Sequence, residues 1–320
     1  MLSRRRRASE GIISTESDEL SITVIGLGGG GCNAINRLSH MEPRCRTIAV
    51  NTDKRSLTRT QAEKRLLIGG RSVDGKGTDG RPKVGRDAVT GARVAIEEIV
   101  EDSDIVFIVS GLGGGTGTGG APPLADIARK SGCQVISLVT LPYSLESRRR
   151  RIALKGLRDL RKASNLTIVL DNDRLLGSVP TLKARLALSV IDQLICEIII
   201  GIARPLADDG MTLARFSEFQ DMGGKNALAT VLWGESADPY LAIEGALANP
   251  LLDVDTKKID SVLLNVAGGN FLSDTVLEAM RRDLATGLGL EPALTAFVEP
   301  ERRNYRAMVL LAGKGLNCSQ

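Results

Sequence analysis

Residues 104–122 read DIVFIVSGLGGGTGTGGAP, an apolar run that passes directly into a backbone almost bare of side chains. The run has the composition of a strand buried on both faces. Glycines have no Cβ to hold neighbouring atoms away, so successive backbone N–H groups can close around an anion, and Thr116 and Thr118 can add hydroxyl donors. A loop of this kind after a buried strand points to phosphate.

Working outward, four more β-branched runs share the pattern: SITVIG at 21–26, RTIAVN at 46–51, QVISLVTL at 134–141 and LTIVLD at 166–171. Between the runs, GCNAINRLSHM, VGRDAVTGARVAIEEIVED and PPLADIARKSG carry apolar residues at helical spacing. Alternation of this kind predicts an α/β, doubly wound parallel sheet over residues 21–180. Residues 181–203 predict a long central helix, apolar on most faces and suited to a seam between domains. The remainder, 204–314, predicts a smaller α+β domain whose last two apolar runs, PALTAFVEP and NYRAMVLLAG, are close enough to pair as a hairpin. Residues 1–20 and 315–320 are expected to be tails.

Composition removes several classes of function. With 42 Lys and Arg against 38 Asp and Glu, the net charge of +4 is too mild to indicate specific nucleic-acid binding. The five cysteines show no CxxC spacing, which argues against a structural zinc site or disulfide framework and fits a reducing cytoplasm. His40 is the only histidine, so histidine-dependent nucleophilic triads would have to use that residue. The most apolar stretch, LICEIIIGIA at 194–203, is half the ~20 residues needed to span a bilayer and reads as a buried helix. The start of the chain carries Arg4–Arg7 without an apolar segment behind it; it is no secretory signal, and its cations could meet an anionic lipid or acidic partner.

A second glycine loop, GLGGGGCN at 26–33, follows the first strand and opens a helix. Taken alone it also fits GxGxxG, with Asp53 where a ribose-binding acid would sit, which leaves a dinucleotide-binding oxidoreductase open. Two glycine loops on neighbouring carboxyl edges instead suggest a longer phosphate chain held from both sides. GxxxxGK[ST] is absent, so the usual P-loop is not present.

GLGGGTGTGGAP resembles the phosphate-binding motif of the tubulin/FtsZ family. GLGGGGCN, VNTD at 50–53, GKGTDGRPKVG at 75–85, IVLDNDRLL at 168–176 and NPLLD at 249–253 follow in that family's order. The cell-division FtsZ branch is the most similar. The resemblance implies a GTPase-type domain, bound GTP or GDP with Mg2+ held through the nucleotide, and head-to-tail filaments of like subunits or with another family member. By position it assigns Gly28, Gly29, Gly30, Cys32 and Asn33, with Gly113, Gly114, Gly115, Thr116, Gly117, Thr118 and Gly119, to the phosphates, and Asp53 to the same nucleotide site. Gly77, Thr78 and Gly80 would approach the γ-phosphate, Glu146 and Arg150 the ribose and nucleotide, and Asn172 and Asp192 the guanine. Glu146 and Arg150 also fit a surface i,i+4 ion pair, and Asn172 a simple turn residue.

Departures from the family pattern are as informative. Its acidic motif, carried into the next subunit's site to orient the attacking water, falls here on LARFSEF, with Arg215 in place of the first carboxylate and Glu218 remaining. Slow hydrolysis is expected, with an ordinary GTPase using Glu218, an arginine finger, or a non-polymerising filament cap as the alternatives. Arg81 and Lys83 make the γ-phosphate turn more cationic, and Leu188 stands where an aromatic would stack on guanine. Relatives continue into a peptide that binds membrane-anchoring partners, whereas this sequence ends at GKGLNCSQ, so an anchor is expected elsewhere.

Overall fold

The computed structural model describes residues 20–41, 44–174, 184–207, 222, 226–248 and 256–316. Arg215, Glu218, the NPLLD run and the Arg4–Arg7 run lie outside the described residues. The described strands form one ten-stranded sheet in the order β3-β2-β1-β4-β5-β6-β7-β10-β8-β9. Its first six are β1 (Ile22–Leu27), β2 (Arg46–Asn51), β3 (Lys64–Leu67), β4 (Ile105–Gly111), β5 (Gln134–Leu141) and β6 (Leu166–Asp171), all paired in parallel.

Strand β4 shows why the apolar run reads continuously rather than alternately. Ile105, Phe107 and Val109 enter one core while Val106 and Ile108 enter the other, and all five are at most 1% exposed. On one face lie α4 (Pro82–Gly91), α5 (Arg93–Val100), α6 (Thr116–Lys130) and α7 (Ser147–Ala163), contributing Ala88, Ile96, Leu124 and Leu157 to that core. On the other, α1 (Gly28–Leu38) and the long central helix α8 (Ala184–Ala207) contribute Ile35, Ile195 and Ile199. Among the described residues no helix is long and apolar enough to cross a membrane.

The later half comprises β7 (Leu228–Ser236), β8 (Ser261–Gly268), β9 (Ala293–Val298) and β10 (Tyr305–Gly313), with α9 (Pro239–Leu247) and α10 (Asp274–Leu288). It joins the first half through two register pairs, Thr167↔Leu228 and Ile168↔Ala229. The expected hairpin between the last two runs does not form. β10 runs antiparallel between β7 and β8, and β9 pairs in parallel with β8 at the sheet's edge. A central strand needs apolar side chains on both faces; β10 buries Ala307 through Gly313 without interruption, whereas β9 is only partly buried at both ends.

Two further differences concern helices. Residues 82–100 form two helices broken at Ala92 rather than one. The glycine loop after β4 is shorter than it reads, because Thr116 to Gly120 already belong to α6.

Candidate functional site

Helix α1 starts directly from the carboxyl end of β1, and α6 starts after residues 112–115, beyond the carboxyl end of the adjacent β4. Neither start has a side-chain cap, as is also the case for α4, α5, α7 and α10, whereas Asp53 caps α2 (Lys54–Arg59) and Asp238 caps α9. The first N–H groups of both helices are therefore left for an anion, and the positive ends of the two helix dipoles lie side by side. A Cβ on Gly28 would lie 3.2 Å from the Gly117 nitrogen, which measures how closely the two starts approach.

The glycines divide into two groups by what surrounds them. Around Gly29 and Gly114 a Cβ would meet nothing within 4 Å. At Gly115, Gly117 and Gly119 a Cβ would come within 2.1, 2.4 and 1.8 Å of Thr78 Oγ1, Ser110 Oγ and the Pro82 carbonyl oxygen. The second group exists so that neighbouring backbone can pack; the first borders open space. Gly113, at φ +97°, turns the chain from β4 into α6, and its N–H donates to Thr118 Oγ1 at 2.7 Å. Thr118 is 3% exposed, and its hydroxyl accepts the Gly113 N–H and so shapes the loop, while its own proton remains to be donated.

The turn at residues 77–80 packs on this loop. Gly77 and Gly80 have φ of +85° and +72°, and buried Thr78 shares a hydroxyl network with Thr116, whose Oγ1 lies 2.7 Å from Thr52 Oγ1. Asp53, besides capping α2 through the Ser56 N–H at 3.0 Å, pairs in a β-bridge with Lys76. Arg81 bonds Asp79 at 3.1 Å on the surface, so part of the extra positive charge at this turn is met locally; Lys83 is exposed. Cys32 is buried against Asn51, and burial pushes its thiol up, so its side chain packs rather than reacts. Asn33, one residue on, is exposed.

Loops after β5 and β6 close the same edge. Glu146 forms an ion pair with Arg149, and Arg150 makes a two-pronged contact with Asp171 at 2.8 and 2.5 Å, so the pairing of Glu146 with Arg150 is not found. Arg150 also donates to the Pro142 carbonyl and lies 3.6 Å from Asp173, whose carboxylate accepts from the Ser144 N–H. Its guanidinium therefore ties the two loops together at the end of the sheet. Asn172 follows β6 and is 7% exposed, with an Oδ1 that has no hydrogen-bond partner among the described residues. The buried hydroxyls of Ser110, next to last in β4, and Tyr143, on the loop after β5, are unpaired likewise. Both went unnoticed in the sequence, where the one available signal was their position just before or after a strand's carboxyl end. Burial normally satisfies such atoms; Gln134 Nε2 and Thr167 Oγ1, at the opposite amino ends of β5 and β6, are unpaired as well, so the three are compatible with a ligand at this edge without marking one.

Leu188 and Asp192 lie one turn apart on α8, which packs against α1 through Arg37 to Ser189 and Gln193. Leu188 is half-exposed, while burial raises the Asp192 carboxyl to about 6 against an opposing pull from Arg37.

Residues 21–180 match the model of the Tubulin/FtsZ family, GTPase domain. The chain is similar to the cell division protein FtsZ 1 of Pyrococcus horikoshii, at 34% identity over 312 residues, 93% of this chain and 82% of the relative. In structure it is similar to an empty FtsZ dimer from M. jannaschii, with a TM-score of 0.88, 32% identity and coverage of 94% and 90%. A GTPγS-bound protofilament of CetZ2 from Haloferax volcanii has the same fold, at a TM-score of 0.78 and 22% identity over 94% and 95% of the chains. The chain therefore belongs to the Tubulin/FtsZ family, with residues 21–180 as its GTPase domain.

Proposed function

We propose that this chain is an FtsZ-like cytoskeletal protein of cell division or cell shape, binding GTP or GDP at the sheet edge and assembling head to tail, with slow hydrolysis. The observation that carries the reading is the pair of uncapped, glycine-lined helix starts on neighbouring strands. Residues 28–33 and 113–119 hold the phosphates, with Mg2+ arriving through them, and the 77–80 turn faces the γ-phosphate. Glu146 contacts the ribose, while Arg150 acts chiefly by fixing the loops beside it. Asn172 and Asp192 read guanine, whose N1–H and amino group require acceptors. Because the contact between subunits is heterologous, it propagates as an open filament.

Titration calorimetry with GTP tests the binding site. Gly29→Ala places a methyl in the open space beside the uncapped start of α1, and GTP affinity is expected to fall on the order of a hundredfold, about 3 kcal/mol. Its melting temperature should hold or rise, since alanine favours a helix over glycine by about 1 kcal/mol. Absence of any GTP binding by the parent chain would refute the proposal. Light scattering with GTP tests assembly, and a strictly monomeric protein would refute that part alone.

Asp192 gives the site a pH dependence. Its folded value of about 6 exceeds the ordinary 3.8, so its contribution to stability is present below pH 3.8 and is lost as pH rises through about 6. Guanine recognition has the opposite sign, because the donors of the base need the carboxylate form. GTP affinity is expected to drop as pH falls below about 6, with proton release on binding there. Asp192→Asn, which keeps an acceptor oxygen, should flatten the profile; an unchanged slope would remove Asp192 from the base site.

A further inference from the structure

Helix α7 buries Ala153, Gly156, Leu157, Leu160 and Ala163 against the sheet and α6. Opposite that seam stand Arg148, Arg151, Lys155, Arg158 and Lys162, spaced three, four, three and four residues apart, and all exposed. Helical geometry places them within about 80° of arc along ~21 Å of one ridge. None of the five side chains has a hydrogen bond or ion pair among the described residues, and the carboxylates nearest in sequence are engaged elsewhere: Asp159 by Arg86 at 3.3 Å, Glu146 by Arg149. Like charges at these spacings repel, so the ridge opposes the helix that carries it unless a polyanion covers it.

The ridge is held rigidly. A Cβ on Gly156 would lie 2.3 Å from Thr118 Cγ2, which shows how deeply α7 seats on α6, and Arg161 bonds the carbonyls of Asn226 and Lys314 near its end. Just ahead of the helix, Leu145 is 95% exposed.

We propose that the outer ridge of α7 docks along an anionic lipid surface, with Leu145 entering the headgroup boundary. Cations in a line with an exposed leucine at one end match an interfacial helix. A nucleic acid has no use for Leu145, and single strands are held in grooves with stacking aromatics. This ridge is convex, and the aromatic nearest to it in sequence, Tyr143, has its hydroxyl buried. The docking does not depend on bound nucleotide.

The test is sedimentation of the full chain, without nucleotide, with vesicles of phosphatidylglycerol and phosphatidylcholine and with phosphatidylcholine alone. Binding to the anionic vesicles only is expected. Combined Arg151→Gln, Lys155→Gln and Arg158→Gln should weaken it roughly a hundredfold, at about fivefold per cation, and Leu145→Ala should weaken it severalfold. Thermal melting of the triple variant should match or exceed the parent, because repulsion is relieved, which separates lost docking from lost fold. Binding that survives in the triple variant but disappears when residues 1–18 are deleted would assign the contact to Arg4–Arg7 and overturn the proposal. Equal binding to neutral vesicles, or capture of duplex DNA without vesicle binding, would overturn it as well.

Discussion

Alanine at Gly119 is expected to destabilise the protein by about 3 kcal/mol or more, a large share of the stability of a typical domain. The added methyl would lie 1.8 Å from the Pro82 carbonyl oxygen and 2.6 Å from its carbon. Both are backbone atoms, so no rotamer change relieves the overlap, and α4 must move away from α6. Movement of α4 draws the 77–80 turn with it, because α4 begins at Pro82, directly after Arg81, and so pulls Thr78 and Arg81 off Gly115. GTP affinity should therefore fall together with stability, unlike in Gly29→Ala, where only affinity falls. Urea unfolding followed by circular dichroism separates the two cases. An unchanged midpoint for Gly119→Ala would show that the helices do not approach as closely as described.

Arg215→Asp is expected to raise GTP turnover by about 10²–10⁴-fold, the usual contribution of a positioned acid–base group. A carboxylate accepts a hydrogen bond from the attacking water and can draw off its proton; a guanidinium can do neither. In the proposed filament, an arginine in this position would instead contact the neighbouring subunit's phosphates through charge-assisted bonds, holding subunits together without cleaving nucleotide. The parent should thus release phosphate slowly and form long-lived filaments, while the variant should turn over and disassemble faster. Phosphate release measured above the assembly concentration decides the matter. Rapid release by the parent that is abolished in Arg215→Ala would replace this reading with a transfer-stabilising arginine finger.

The parallel half was legible because its strands are buried on both faces, and β-branched runs such as DIVFIV have little else to be. β3 was not: Lys64 and Arg65 are exposed at the sheet's edge, where charge discourages stray pairing and erases the apolar signal. The order of β8, β9 and β10 was also hidden, since closeness in sequence suggests a hairpin while insertion between two earlier strands depends on tertiary packing. At the site, the glycine runs identified both loops but put the second helix at PPLADIARKSG, past its true start at Thr116, and a glycine bordering open space and one wedged against Pro82 look identical in sequence. Arg150 illustrates the same limit, because its partner Asp171 is distant in the chain and only the sheet brings them together.

The insertion of β10 between β7 and β8 has a consequence for synthesis. The six parallel strands can complete their ladder as soon as residue 171 has emerged, but the hydrogen-bonding edges of β7 and β8 stay open until residue 313 arrives. A ribosome that stalls after β9 would therefore release a chain with a finished amino-terminal half and two unsatisfied apolar edges, a form suited to capture by chaperones or to self-association.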